Sequence, residues 1–374
     1  MNTPTSTLID LAPLTRFEPP GDLTAPAPAE ARGTQRDAVR LLVADGDRAR
    51  HVLFRDLADQ LDPGDLVVVN ASQTVAGEAD ATIGAGSRHR DIVLHLAMDL
   101  RDGTWVVELR SAPDAARALL EAEPGQVVTL TDDPATTLRL LAPYPHEGSS
   151  PTGVGNRLWR AEHLGHEPLR AVMDRIGRPI AYGYLDRRYD LADYQTIFGT
   201  TPGSAEMPSA ARPFTPELVT RLVSRGVAVA PVVLHTGVSS QEAGEAPQPE
   251  WYEVGAATAQ LVNVTRARGG RVVAVGTTVT RALESAVVPG GSLVVADEGW
   301  TERVVTREAP PRVVDGLVTG WHDPQASHLL LVEAIAGPQL AQLAYDAAVE
   351  QRYRWHEFGD AGLFLPPRAA AAAA

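Results

Sequence analysis

The residues with the most chemical promise lie in one stretch of the second half, Gly269-Gly270-Arg271-Val272-Val273-Ala274-Val275-Gly276-Thr277-Thr278-Val279-Thr280-Arg281-Ala282-Leu283-Glu284-Ser285-Ala286. An apolar strand at 271–275 enters a turn of small residues, Gly276-Thr277-Thr278, and a helix at 279–286 follows. The start of such a helix presents backbone N–H groups without partners inside it, which suit a carboxylate or the polar edge of a base. Arg281 and Glu284 are three apart, so they share a helix face and can pair or meet a ligand together. The same residues equally describe an ordinary β-turn-α unit with a surface ion pair. His235 ends a second apolar strand at 227–234, either as a satisfied core histidine or as an acid-base group. His322 and His328 are six apart, which is not a helical ligand spacing, and no metal is expected.

Other catalytic signals are missing. There is no Walker loop, no G-x-G-x-x-G after a strand, no H-E-x-x-H and no G-x-S-x-G. The chain has no cysteine, which excludes disulfides, thiolate metal sites and cysteine nucleophiles and fits a cytoplasmic protein. No apolar run approaches the roughly 20 residues of a membrane span, and the start does not resemble a signal peptide. The formal charge of -14 argues mildly against non-specific nucleic-acid binding, which gains affinity by neutralising phosphates. A local basic groove on an acidic body stays open.

These candidates need elements to hold them. The chain to about residue 30 is rich in Pro, Thr and Ala and predicts irregular surface structure. Strands follow at 40–44 and 51–54, then a short helix at 57–61. The turn Pro63-Gly64-Asp65 delivers a buried strand at 66–69 that ends at Asn70. Between 77 and 143 short β-rich runs recur, at 91–97, 104–109, 126–131 and 137–141, and they predict a small barrel. A Gly/Ser/Pro loop at 146–155 returns the chain. The second half alternates a helix at 216–225 capped by Thr215, the strand at 227–234, a helix at 256–268 closed by Gly269-Gly270, and the stretch already described. The expected fold is an α/β main domain, 1–76 with 152–368, carrying an inserted small all-β, barrel-like domain at 77–151. An alanine tail at 369–374 is left without interpretation.

The 269–286 stretch closely resembles the G-G-R-(V/I)-(I/V)-A-V-G-T-T-x-x-R-x-L-E-S signature of the S-adenosylmethionine:tRNA ribosyltransferase-isomerases of queuosine biosynthesis. Further blocks follow in that family's order. Arg36-Asp37 with Arg40-Leu41-Leu42-Val43 is similar to R-D-x-x-R-L-L-V, and Pro63 to Asn70 to P-G-D-L-L-V-x-N. Tyr194-Gln195-Thr196-Ile197-Phe198 resembles Y-Q-T-V-Y, Leu234-His235-Thr236-Gly237 resembles L-H-V-G, and Glu250-Trp251-Tyr252 an E-Y-Y-like stretch. Tyr353-Arg354 and Phe358-Gly359-Asp360-Ala361 resemble the closing Y-R-F-x-S-Y-G-D-A. The blocks run from about residue 36 to 364.

The resemblance implies S-adenosylmethionine as a substrate, the ribosyl donor, and 7-aminomethyl-7-deazaguanine in tRNA as acceptor. The ribosyl part is transferred and rearranged to an epoxycyclopentane while adenine and methionine leave. Such chemistry needs a base beside the sulfonium, an acid for adenine and exclusion of water. It implies His235, His322 and Glu284 as catalytic groups, and Gly276, Thr277, Thr278, Arg281, Tyr194, Gln195, Asn70 and Asp360 as the S-adenosylmethionine contacts.

Several loops depart from the family pattern. A-A-P-T-A-G-L-H-F-T reads Ala205-Glu206-Met207-Pro208-Ser209-Ala210-Ala211-Arg212-Pro213-Phe214-Thr215, with Pro213 at the histidine. N-D-T-R-V-I-P-A-R ends here in Gln73-Thr74-Val75-Ala76-Gly77-Glu78, without either arginine. The G-x-G-T-F segment has become Gly237-Val238-Ser239-Ser240-Gln241, and H-x-M-H has become a stretch ending Pro247-Gln248-Pro249. T-N-F-H-L-P-x-S-T reads Thr319-Gly320-Trp321-His322-Asp323-Pro324-Gln325-Ala326-Ser327, then His328. Arginine gives bidentate phosphate recognition that glutamine and glutamate cannot replace. Three readings follow: the family reaction on tRNA, a paralogue acting on a small-molecule acceptor, and a non-catalytic ligand-binding homologue. A basic groove, a closed small pocket and an occluded pocket would mark them in turn.

Overall fold

The computed structural model describes residues 11–18, 21–85, 88–148, 154–238, 245–324 and 326–367. The Ser239-Ser240-Gln241 departure and the alanine tail lie outside them. In chain order the main-body elements open with β1 (Arg40–Asp45), β2 (Arg48–Leu53), β3 (Leu66–Asn70) and β4 (Ser72–Thr74). Next come β5 (Glu78–Ala85), β6 (Arg88–Asp99), β7 (Thr104–Ser111), β8 (Val127–Leu130), β9 (Thr137–Pro143) and β10 (Leu158–His163). After α1 (Leu169–Ile176) and β11 (Thr201–Ser204) follow α2 (Pro216–Ser224), β12 (Ala228–Leu234), β13 (Glu250–Val254), α3 (Ala256–Ala267) and β14 (Val272–Val275). The chain closes with α4 (Thr277–Ser285), β15 (Asp297–Thr301), β16 (Gly316–Gly320), α5 (Ser327–Ala336), α6 (Pro338–Glu350) and β17 (Ala361–Leu365).

A nine-stranded mixed sheet, ordered β15-β13-β12-β3-β14-β16-β17-β1-β2, forms the main body. Every residue of β3 is buried, and it runs parallel to both β12 and β14, as a strand covered on two faces should. Its alternation divides the core. Leu66 and Val68 join Val272 and Ala274 under α3 to α6, while Val67 and Val69 join Val273 and Val275 against Phe54, Phe214 and Leu218. Thr215 caps α2 as expected, its side-chain oxygen accepting from Leu218 N at 3.2 Å.

The insertion is a closed barrel, β10-β7-β6-β5-β8-β9. It has one strand more at each end than the four runs read from the sequence. β10 lies beyond residue 151, where the sequence reading ended the insertion, and it closes the barrel by pairing with both β7 and β9. Trp159 and Ala161 of β10 fill the barrel core with Leu94, Val107 and Leu138, and Leu169, Val172 and Met173 of α1 pack into the same cluster.

Where the barrel meets the main body, buried charges interlock. His95 bonds Glu78 through Nε2 at 3.1 Å and Glu108 through Nδ1 at 3.2 Å, all three fully buried. Glu108 also accepts from Arg110 (2.8 Å) and Arg157 (3.1 Å), and Arg157 reaches on to Glu245 at 2.6 Å. Glu78 further accepts from Arg178 at 2.7 Å and Arg188 at 2.5 Å. Position 78, read from the sequence as a lost phosphate-binding arginine, is therefore an interior acidic hub. Two carboxylates on one imidazole hold it as the cation, which raises the His95 pKa against the opposing pull of burial.

Candidate active site

A cavity of about 570 Å³ opens beyond the carboxyl ends of the parallel strands, where open α/β sheets place their ligands. The segment after β12 contributes Thr236 and Gly237, the β14–α4 turn Gly276, Thr277, Thr278 and Arg281, and the end of β16 Thr319 to Asp323. α4 begins at Thr277, two residues before the sequence reading, because Gly276 enters it at φ +94°, a conformation that side chains disfavour. A Cβ at Gly276 would also approach Thr278 Oγ1 to 3.4 Å.

The expected binding residues divide. Gly276, Thr277, Thr278 and Arg281 line the cavity. Arg281 does so as a strut: it pairs with Glu250 and donates to the carbonyls of Arg303 (3.0 Å), Gln248 (2.9 Å) and Thr301 (3.1 Å). Asn70 stands behind the wall, bridging Leu234 O at 2.8 Å and Leu234 N at 3.1 Å and touching Thr278 Oγ1 at 3.4 Å. Tyr194 is buried against Phe358, and Gln195 donates to Thr74 O at 2.9 Å. Neither lines the cavity. Asp360 accepts from Arg40 N (2.8 Å), Arg40 Nη2 (2.8 Å) and Arg354 N (2.8 Å), and so ties β1 to the closing turn.

The expected catalytic residues divide as well. Glu284 does not reach the cavity: its carboxylate accepts from the amides of Arg312 (2.8 Å), Val313 (2.9 Å) and Val314 (3.2 Å). An acidic group buried on amides fastens a loop, and the motif cannot tell that role from catalysis. His235 is also set back. Its Nδ1 bonds Ser72 Oγ at 2.8 Å, its ring packs on Gly203 where any Cβ would collide, and burial pushes its pKa down to about 4.

His322 does line the cavity. Its Nε2 bonds Thr319 Oγ1 at 2.9 Å, and its ring lies parallel to that of His328, 4.6 Å apart and 6° from coplanar. Burial first, and then each His322 neighbour's imidazole, pushes its pKa well down; burial pushes His328 to about 4. Both rings are neutral near pH 7 and able to accept a proton. The six-residue spacing is bridged because His322 precedes α5 while His328 lies in its first turn. Sequence reasoning also missed Tyr182, Tyr184, Glu206, His356 and Glu357, which line the same cavity from three separate loops. No spacing rule links residues that far apart. Among the described residues no three His, Asp or Glu side chains converge to hold a metal ion.

An inserted barrel beside an α/β sheet, with a polar cavity at the strand ends lined by imidazoles and carboxyls, makes an enzyme-type site. The model of the queuosine biosynthesis protein family matches residues 15–364. The S-adenosylmethionine:tRNA ribosyltransferase-isomerase of Thermosynechococcus vestitus is 33% identical over 88% of this chain and 90% of its own. The protein of the same name from Novosphingobium aromaticivorans is 33% identical over 94% of this chain and 98% of its own. A crystal structure of S-adenosylmethionine tRNA ribosyltransferase from Thermotoga maritima is 28% identical, with TM-score 0.49, covering 93% of this chain and 99% of that one. The chain belongs to the queuosine biosynthesis protein family, an enzyme family.

Proposed function

We propose that this protein is an S-adenosylmethionine:tRNA ribosyltransferase-isomerase that transfers and rearranges the ribosyl part of S-adenosylmethionine onto 7-aminomethyl-7-deazaguanine in tRNA. The observation that carries the reading is full-length identity: relatives of that name match at 33% across nearly the whole of both chains. The cavity supports it. The α4 start offers backbone N–H groups and two threonine hydroxyls to the donor's polar ends. His322, stacked on His328 at the cavity wall, is the group we read as the acceptor of the proton next to the sulfonium. The barrel and the loops after β11 and β12 wall the site and help exclude water from a reactive intermediate.

The acidic balance weighs less against tRNA than it does in the sequence. Glu78 is interior and paired, so its charge is not displayed to a polyanion. A cytoplasmic location goes with this reading.

The test is product analysis by mass spectrometry after incubation with S-adenosylmethionine, with and without RNA carrying the aminomethyl-deazaguanine. Adenine and methionine released only with that RNA, together with a modified nucleotide, are expected. Binding of S-adenosylmethionine without RNA-dependent turnover would instead point to a small-molecule acceptor. Neither binding nor turnover would leave the family relationship as evidence of fold alone.

A further inference from the structure

One wall of the cavity is a ladder of rings that ends in carboxyls. Tyr182 and Tyr184 stack with centroids 6.1 Å apart and planes 25° apart, and Tyr184 stacks on His356 at 4.9 Å and 16°. The Tyr182 hydroxyl donates to Glu206, and the Glu357 carboxyl lies near Tyr184. The second carboxylate oxygen of Glu357, Oε2, is shielded from solvent and has no hydrogen-bond partner among the described residues. Among the described residues no arginine forms an ion pair with Glu357. The cavity's Arg110 is held by Glu108 and by Ala115 O, and Arg281 by Glu250 and three carbonyls. His356 supplies no charge either, since burial lowers its pKa.

Burial, and then the negative charge of Glu206, pushes the Glu357 carboxyl up to about 8. A desolvated carboxyl beside a second one ionises far more readily when a cation joins it. Stacked aromatic faces attract the same kind of group, most strongly where water is excluded. Glu206 and Glu357 stand where the family motifs given above carry alanine and serine.

We propose that Glu357, with Glu206 and the Tyr182–Tyr184–His356 stack, forms a subsite for a cationic group of the substrate and sets the preference for a charged ligand over its neutral counterpart. The inference rests on the proposed function, whose reactants bring two such groups: the sulfonium of the donor and the primary ammonium of the acceptor base. Both are compact organic cations, and one binding experiment separates them.

The full chain is titrated with two ligand pairs. S-adenosylmethionine is set against S-adenosylhomocysteine, which differs at the sulfur charge, and 7-aminomethyl-7-deazaguanine against 7-methyl-7-deazaguanine. The wild type favours the charged member of one pair, and that pair identifies the source. Glu357→Gln lowers this preference about ten-fold, the loss of one buried charge contact, and Glu357→Asp keeps part of it. Glu206→Gln lowers it by less. Thermal melts accompany each variant, so a folded protein with altered preference is distinguished from a damaged one. No preference in the wild type for either charged ligand overturns the inference, as does a preference unchanged in folded Glu357→Gln. RNA-dependent turnover measured on the same wild-type sample tells this failure from failure of the proposed function, because turnover can persist while the preference is absent.

Discussion

Glu108 and Glu357 are the same residue type in two settings, one in the interior and one on a cavity wall, and they titrate in opposite directions. At the barrel junction, Glu108 is surrounded by His95, Arg110 and Arg157, and these partners outweigh burial and hold it down at about 2. In the cavity, Glu357 has burial and the negative charge of Glu206 against it, and they push it up to about 8. The difference lies in what the surroundings were built to complete. A carboxylate whose partners all come from the chain fastens two domains. One left short of a cation has room for a partner that arrives from solution. Burial alone does not distinguish structure from function, whereas the state of satisfaction does.

The comparison breaks most visibly at the hub. Glu108→Gln leaves Arg157 and Arg110 short of a buried counter-charge and destabilises the protein by about 3–5 kcal/mol, measured by urea unfolding. If the loss is under about 1 kcal/mol, the hub is not the fastening it looks like. The hub also sets an acid limit. With folded pKa values near 2 against a usual 4.5, Glu78 and Glu108 contribute stability that is present above about pH 4.5 and lost as pH falls towards 2. His95, with its pKa raised, contributes fully below its usual 6.5, and that share is lost as pH climbs through its folded value.

On the cavity side, His322→Ala is expected to lower turnover by about 10²-fold, roughly 2.7 kcal/mol, with the melting temperature little changed. An unaltered rate would remove His322 from the chemistry. Glu284→Ala is expected to act in the other manner, costing about 1–3 kcal/mol of stability for each loop amide that water cannot reach, while the surviving folded enzyme still binds S-adenosylmethionine. The last effect is the most specific. Because Glu357 ionises later in the fold than in the unfolded chain, stability falls as pH rises from about 4.5 to about 8, by up to about 1.4 kcal/mol per pH unit. Glu357→Gln should flatten that slope in pH-dependent melts, and Glu108→Gln should leave it in place.

Much of the scaffold was legible beforehand because it rests on local patterns. The apolar run of β3, the Thr215 cap of α2 and the Gly269-Gly270 stop after α3 each depend on residues within a turn or two of one another. Less was legible where an element is defined by what it touches. The barrel's closing strand β10 follows a glycine-rich loop and is only six residues long, so its pattern is weak until β7 and β9 lie beside it. The helices α5 and α6 close over the sheet with long apolar faces, and the sequence reading did not include them.

The site divides in the same way. Gly276, Thr277, Thr278 and Arg281 could be read from the sequence because one strand-turn-helix block presents them together. Glu284, in that same block, was misjudged since its partners Arg312 to Val314 lie 28–30 residues away. Sequence alone determined the family, the strand-and-helix units built on local patterns and the turn that opens the cavity, since each is written in contiguous residues. Only the tertiary structure decided which charged groups are satisfied. It sent Glu78 to the interior, stacked His322 on His328, and brought Glu206 and Glu357 to one wall from positions 151 residues apart. The free energy of a buried charge depends on neighbours supplied by distant segments, and no local pattern carries that information.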